Sequence, residues 1–178
     1  MELIETFKVY KKYSDYVVQQ SRSNLTKGNK NVSKELYNSI KSEVKISSQR
    51  AVISFFMLEY GNYQDKGVQG KTSSLKAPNS PYKFGSGKGK KGGLTNAILP
   101  WVKARGIQFK DRESGKFLSY KSTAFLITRS IYHKGIKETR FFSKPYEEGY
   151  KKYITEEADE ALSVDVDRYI KNIKLWKK

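Results

Sequence analysis

The segment from Lys71 to Gly93 constrains the fold most strongly, because it rules out a long helix in the middle of the chain. It reads "KTSSLKAPNSPYKFGSGKGKKGG" and contains Pro78, Pro81 and five glycines. Proline removes a helical hydrogen bond and glycine favours turns. We therefore expect residues 66–93 to form an inserted, flexible and basic loop between regular elements.

Near the start of this loop, Gly70, Lys71 and Thr72 match the last three positions of a nucleotide-binding P-loop motif. A P-loop also requires a glycine five positions before Gly70 and a helix that begins at the lysine. Asp65 occupies the glycine position, and the prolines that follow exclude the helix. The stretch "DKGVQGKT" is therefore interpreted as an exit from a strand into the inserted loop.

Two helices and a hairpin are predicted before the loop. Apolar residues at helical spacing indicate a first helix that ends near Gln20 and a shorter one over about 32–40, joined by a polar connector. The run "AVISFFML" (51–58) follows alternating residues and the turn-like "SSQR", which together predict an antiparallel hairpin.

Helical patterns return after the loop. Thr95 is expected to cap a helix that carries Trp101 in the core and ends at Gly106. A small hairpin is expected around "DRESG" (111–115), and a further helix follows it up to Gly135.

The C-terminal part carries an apolar stripe from Tyr146 to Ile173. This stripe predicts a long helix that breaks near "SVDVD" (163–167). The order of elements argues for an α+β fold, in which N-terminal helices and a small curved antiparallel hairpin pack on the long C-terminal helix.

Length and cysteine content bound the class of protein. A chain of 178 residues predicts a single domain over 1–178. It contains no cysteine, which excludes a disulfide scaffold and cysteine-based zinc sites. No apolar run approaches the roughly 20 residues of a membrane span, and the N-terminus does not resemble a signal peptide. We expect a soluble intracellular product with no membrane contact.

Charge is large and uneven along the chain. The sequence has 35 basic and 18 acidic residues, a net charge of +17. Between Lys66 and Lys121 there are 13 Lys or Arg and two acids, whereas Glu156–Asp167 has six acids and no base. A basic side and an acidic side are expected, which suits head-to-tail contacts between subunits or a polyanionic partner.

Catalytic and metal-binding patterns are sparse. His133 is the only histidine, so a Ser/His/Asp triad has no second candidate, and this residue is interpreted as a surface or capping residue. The acids of Glu156–Asp167 lack the spacing of an EF-hand, which favours a solvated or subunit-facing helix surface. We predict no catalytic residue, no metal and no cofactor, and hence a protein that is not an enzyme.

Three segments in order resemble the neck and tail-completion proteins of tailed bacteriophages, a tail-component family. They are "YGNYQDKGVQG" (60–70), "WVKARGI" (101–107) and "AFLITRSIYHKGIKETRFFSKP" (124–145), and the resemblance covers about residues 35–170. It implies that Phe141, Phe142 and Pro145 return the chain to the core. It also implies a loop for assembly and partner binding, made of Tyr60, Gly61, Tyr63, Asp65, Lys66, Gly67, Lys71, Lys83, Lys88, Lys90 and Lys91.

The resemblance also implies a function. Such a protein is a structural component of the virion, located at the head–tail junction after synthesis in the host cytoplasm. It forms a homo-oligomeric ring of six or twelve subunits between portal or adaptor proteins and the tail tube or tail terminator, near the packaged DNA.

Two other hypotheses stay open. One is a basic nucleic-acid-binding protein that uses Lys71–Lys121, with binding that weakens as salt rises. The other is a metal-dependent nuclease that uses Asp65, Asp111 or Glu113, for which magnesium-dependent cleavage would be the evidence.

Overall fold

The computed structural model describes residues 2–28, 33–47, 50–86 and 92–176. These residues form helices and a two-stranded antiparallel sheet, which confirms the predicted α+β class. The chain divides into two compact units: unit 1 is Met1–Leu58 with Arg140–Lys178, and unit 2 is Glu59–Thr139. The single domain expected over 1–178 stays a prediction.

The described elements follow a simple order in which unit 2 interrupts unit 1. They are α1 (Ile4–Lys27), α2 (Glu35–Ser39), β1 (Lys41–Ile46), β2 (Ala51–Phe56), α3 (Tyr60–Lys66), α4 (Gly93–Ala104), α5 (Tyr120–Lys134), α6 (Ser143–Gly149), a π-helical segment (Tyr150–Thr155) and α7 (Ala158–Trp176). None of the helices among these residues is long and apolar enough to cross a bilayer.

The core of unit 1 forms along one face of α1. Tyr13 and Val17 pack against Tyr153 of the π-helical segment. Further along the same face, Leu25 packs with Leu36, Ile40 and Phe141. The predicted end of α1 near Gln20 is wrong, because a buried face continues through Ser21 and Leu25 and holds the polar segment in the helix as far as Lys27.

The hairpin is confirmed. β1 and β2 pair antiparallel, with Lys41 opposite Phe56 and Ile46 opposite Ala51. The Ser47 amide donates to the Arg50 carbonyl oxygen at 2.9 Å and closes the ladder. The Phe55 ring lies 5.9 Å from that of Tyr13 and 5.5 Å from that of Phe142, which fixes the hairpin on the core by edge-to-face aromatic contacts.

The C-terminal helix breaks earlier than predicted. The π-helical segment and a turn at 156–157 separate α6 from α7, and α7 then runs through 163–167 without interruption. A side chain at Gly149 would lie 2.8 Å from the Tyr16 ring, so α1 and the end of α6 approach very closely there. The wider π turn follows directly after this contact.

The predicted structural core residues divide into two groups. Phe141 and Pro145 are buried, and the half-buried Phe142 packs against the same cluster. Pro145 lies in the first turn of α6, where its missing N–H removes no helical hydrogen bond. The prediction for Trp101 is wrong: this side chain is 39% exposed, and its neighbour Val102 is fully buried.

Unit 2 contains α3, α4 and α5. α4 begins at Gly93, so Thr95 lies inside the helix and does not cap it. α5 and its end at Gly135 are as predicted. The small hairpin expected around 111–115 is reduced to one bridge, between Lys110 and Phe117. The inserted loop is shorter than 66–93, because Lys66 ends α3 and Gly93 begins α4.

Candidate functional site

The segment that resembles a P-loop is used for packing in unit 2. The Lys71 amide donates to the Tyr132 carbonyl oxygen at 2.8 Å, and the Thr72 hydroxyl donates to the His133 carbonyl oxygen at 3.1 Å. No helix begins at Lys71. The hydroxyl and amides that would bind a nucleotide therefore connect the chain to the C-terminal end of α5.

A glycine junction joins two segments that are distant in sequence. Val68 and Ile136 exchange both backbone hydrogen bonds, at 3.0 and 2.8 Å. A Cβ atom at Gly70 would lie 2.0 Å from the His133 carbonyl oxygen, and one at Gly135 would lie 2.3 Å from the Val68 carbonyl oxygen. Only glycine allows this approach, which brings "YGNYQDKGVQG" against "HKGIKET".

The residues predicted as an assembly loop form a short helix instead. Tyr60, Gly61, Tyr63, Asp65 and Lys66 all belong to α3, so the prediction that they leave a strand directly into a loop is wrong. Hydrogen bonding at its end holds this helix in place. The Thr139 amide donates to the Asp65 carbonyl oxygen at 3.1 Å, and the Thr139 hydroxyl donates to the Gln64 carbonyl oxygen at 2.7 Å.

Burial separates the predicted loop residues into two sets. Gly61, Asp65 and Gly67 are buried, so they serve the packing of unit 2 and do not offer a contact surface. The exposed members are Tyr60, Tyr63, Lys66, Lys71 and Lys83. Lys88, Lys90 and Lys91 lie outside the described residues.

We name the exposed group Tyr60, Tyr63, Lys66 and Lys83 the α3 face. The Tyr63 ring contacts the Tyr82 ring with their centroids 4.6 Å apart, and Lys83 follows Tyr82 and bridges to Gln69. Both tyrosines of the face are large and exposed, at 45% and 38%. The α3 face thus presents two aromatic rings next to two lysines.

An exposed apolar surface of unit 1 lies on α7. Five exposed side chains share one stripe of this helix, which we name the α7 stripe: Leu162, Val166, Tyr169, Ile170 and Ile173. They recur at i, i+4, i+7, i+8 and i+11, the spacing of a helical face that packs on a partner. The buried residues Ala158, Ala161 and Asp165 lie on the adjacent face.

Asp165 connects α7 to the start of α1. Its carboxylate accepts hydrogen bonds from the Thr6 amide at 2.9 Å, the Glu5 amide at 3.1 Å and the Thr6 hydroxyl at 2.9 Å. Arg168 donates to the same carboxylate at 3.1 Å. Leu3, at the N-cap of α1, gives no side-chain cap, so Asp165 satisfies amides that the sequence neighbours do not.

This finding corrects the interpretation of the acidic segment. A solvated or subunit-facing surface describes Asp159, Glu160 and Asp167, which are exposed, but Asp165 is only 1% exposed. The sequence carries a weak signal for its role, because Asp165 follows Ala161 and Ala158 on the small-residue face of α7. That face can approach another helix closely.

The environment of Asp165 predicts a pH dependence. Burial acts to raise the pKa of Asp165, but the hydrogen bonds from Thr6 and Glu5 and the charge of Arg168 outweigh it and lower the pKa. A lowered folded-state pKa stabilises the protein above the ordinary value of about 4, and this contribution is lost as the pH falls through the folded pKa. We expect the difference in unfolding free energy between wild type and Asp165→Asn to shrink below about pH 4. Urea titrations at pH 7 and pH 3 measure it, and a gap that widens at pH 3 would contradict this assignment.

Among the described residues, the carboxylates that the nuclease hypothesis names do not belong to a group of side chains that could hold a metal ion. The Asp111 carboxylate accepts from the Ser114 amide and hydroxyl, both at 2.8 Å, and these bonds lower the pKa of Asp111. Asp65 is buried in α3. Within the described parts of the chain, no group of three or more His, Cys, Asp or Glu side chains could hold a metal ion.

His133 lies in the last turn of α5, half-buried, with its ring 5.4 Å from that of Tyr132. Its carbonyl oxygen accepts from the Thr72 amide and hydroxyl. The backbone at this position therefore takes part in the contact between the loop and α5.

Comparison with known proteins gave no match to a family model, to a curated protein or to a solved structure. The functional interpretation consequently rests on the residues and surfaces described above.

Proposed function

We propose that this chain is a structural protein of a tailed-bacteriophage virion. It forms a homo-oligomeric ring of six or twelve subunits at the head–tail junction. The ring connects portal or adaptor proteins at the head to the tail tube or tail terminator, and the protein catalyses no reaction.

The α7 stripe is the observation that carries this proposal. Leu162, Val166 and Ile170 are 42%, 37% and 43% exposed in a single chain, along one continuous side of a helix of 19 residues. Covering the remaining exposed area of each such side chain contributes roughly 0.6–1.2 kcal/mol, because full burial of an exposed one contributes about 1.5–3 kcal/mol. An apolar stripe of this length, bordered by charge, is typical of a surface that another protein covers.

Charge complementarity favours a second copy of this chain as that protein. Asp159, Glu160 and Asp167 are exposed on α7 next to the stripe, whereas Lys66 and Lys83 are exposed beside the tyrosines of the α3 face. The exposed acids of α7 outnumber the exposed Lys171, and Lys66 and Lys83 outnumber the exposed Glu59 beside the α3 face, so the two surfaces are opposite in net charge. Both also expose large hydrophobic or aromatic side chains. A contact between two different surfaces is heterologous, and it closes into a ring when the rotation permits.

The glycine junction supports the link to the tail-component family. Two of the three segments that resemble this family meet there, and the exposed rings of the α3 face lie on the helix that directly precedes the junction in sequence. The resemblance is therefore concentrated in residues that hold a contact surface in position.

Ile170→Glu is expected to abolish assembly. A carboxylate in the middle of the α7 stripe would have to be desolvated against an apolar partner, so self-association should weaken by at least a hundredfold. Sedimentation velocity of the purified protein, alone and with the portal complex, measures this. The variant should sediment as a monomer, with helical content equal to that of wild type.

Val164→Glu provides the matched control. Val164 is 46% exposed on the same helix but on the side opposite the α7 stripe. It should assemble like wild type. If Val164→Glu and Ile170→Glu weaken assembly equally, or if neither does, the α7 stripe is not the contact surface. A phage whose gene carries Ile170→Glu should also accumulate unjoined heads and tails.

A further inference from the structure

A second surface of unit 2 combines exposed aromatic rings with basic side chains. Phe117 is 64% exposed, Phe125 is 57% exposed and Phe109 is 42% exposed. Phenylalanine rings that are this exposed leave apolar surface in contact with water and do not contribute to the core. Each of them lies close in sequence to at least one Lys or Arg.

The spacing and the contacts place these residues on one surface. Lys121, Phe125 and Arg129 follow each other at four-residue intervals on α5, so they form one stripe about 12 Å long. Lys110 bridges to Phe117, and its Nζ lies 5.1 Å from the centre of that ring.

A cleft joins the two parts of this surface. Leu126 of α5 lines the cleft together with residues 109–113 and Leu118, so the cleft holds Lys110 and Arg112 and also the acids Asp111 and Glu113. The Phe109 amide also donates to the Thr123 hydroxyl of α5 at 3.3 Å. We name the whole surface the hairpin face. It consists of Phe109, Lys110, Arg112, Lys116, Phe117, Lys121, Phe125 and Arg129.

The cations of the hairpin face are not neutralised by the protein. Arg112, Lys116, Lys121 and Arg129 are exposed, and no described carboxylate lies within ion-pair distance of any of them. In unit 1, by contrast, Lys12 pairs with Glu157. Two acids lie in the region: Asp111, whose carboxylate accepts hydrogen bonds from Ser114, and the exposed Glu113.

The geometry points to single-stranded nucleic acid as the ligand of the hairpin face. Unpaired cations attract phosphates, and exposed rings provide platforms on which successive bases stack. A double helix would use the cations but leave the rings without a role, since its bases are already stacked. An apolar protein partner fits the α7 stripe better, because there aliphatic side chains are contiguous and not separated by Lys and Arg.

This inference is independent of the proposed ring, because it uses neither the α7 stripe nor the α3 face. Lys71 and Thr72, which follow α3 in sequence, hydrogen-bond to the C-terminal end of α5 at Tyr132 and His133, and Phe109 of the hairpin face hydrogen-bonds near the N-terminal end of this helix at Thr123. About nine residues, or roughly 14 Å of helix, separate these two ends. The two surfaces share no residue, so a single subunit can bind a neighbour through the α3 face and a nucleic acid strand through the hairpin face.

Fluorescence anisotropy with a labelled 20-nucleotide oligo(dT) tests the inference on the full chain. Four phosphate contacts predict that affinity falls about fiftyfold between 50 and 200 mM salt. Phe117→Leu with Phe125→Leu keeps the apolar character but removes the rings, and should weaken binding about tenfold or more with an unchanged salt slope. Lys121→Gln with Arg129→Gln should instead make the affinity for oligo(dT) depend less steeply on the salt concentration.

Lys134→Gln is the matched control for the charge variants. Lys134 is exposed on α5 but lies on the side away from Lys121 and Arg129, so its replacement should leave both affinity and slope near wild type. Circular dichroism melting verifies that all variants fold. Absence of binding at 50 mM salt overturns the inference. The inference is also overturned if Lys134→Gln weakens binding as much as Lys121→Gln with Arg129→Gln does. The same holds if duplex DNA binds as tightly as oligo(dT) and the phenylalanine changes do not affect its binding.

Discussion

Replacing Gly135 with alanine is expected to destabilise unit 2 by about 3 kcal/mol or more. Gly135 has φ 80° and ψ 177°, a backbone conformation that is essentially confined to glycine. A Cβ atom there would also lie 2.3 Å from the Val68 carbonyl oxygen and 2.6 Å from the Gly70 amide nitrogen. Neither neighbour is a flexible side chain, so the bridge between Val68 and Ile136 would have to open. Urea denaturation followed by circular dichroism measures the loss.

Gly106→Ala tests how much of this loss comes from the close approach of the Cβ atom to neighbouring backbone atoms and how much comes from backbone strain. Gly106 also has a positive φ, at 62°, but a Cβ atom there would meet nothing within 4 Å. Its replacement should therefore cost only about 1 kcal/mol, from backbone strain alone. Equal destabilisation by Gly106→Ala and Gly135→Ala would show that the close approach at the glycine junction does not hold in solution.

Asp165→Ala is expected to cost about 2–4 kcal/mol of unfolding free energy. The change leaves the amides of Glu5 and Thr6 without their acceptor at the N-terminus of α1, and it leaves Arg168 with Glu5 as its remaining described carboxylate partner. Unsatisfied donors in a buried position retain their desolvation penalty, which makes this loss larger than that of a surface ion pair.

Asp167→Ala provides the comparison on the same helix. Asp167 is exposed, so its replacement should change stability by less than about 0.5 kcal/mol. The two variants remove the same charge from α7, and thermal unfolding compares them directly. Similar melting temperatures would mean that Asp165 does not cap α1 in solution.

The sequence predicted the regular elements well where a single pattern decides the structure. The hairpin followed from a change to alternating residues with a turn between the strands, and α5 followed from helical spacing that ends at Gly135. In these segments local propensity and burial agree, so tertiary contacts add little information.

Elements whose stability comes from distant contacts were not predicted. The end of α1 is polar in sequence and stays helical because Leu25 enters a cluster with Phe141, more than a hundred residues away. α3 contains a glycine and few apolar residues, and its last turn is held by Thr139. Such cases need tertiary information, because propensity alone favours a loop.

The candidate surfaces show the same division. Lys66 and Lys83 were predicted from their position after the strand and are exposed on the α3 face. The buried role of Asp165 was missed, because a run of six acids resembles a solvated helix surface whether or not one member faces inward. The exposure of Phe117 and Phe125 was likewise not visible, since aromatic residues at helical or strand spacing predict core positions.

The proposal of a ring at the head–tail junction can be examined by electron cryomicroscopy of the neck of a phage that carries the gene for this chain. We expect a closed ring of this protein between head and tail, in which Leu162, Val166 and Ile170 of each copy are covered by the α3 face of the next. A neck that lacks this chain, or a ring in which the α7 stripe faces solvent, would contradict it.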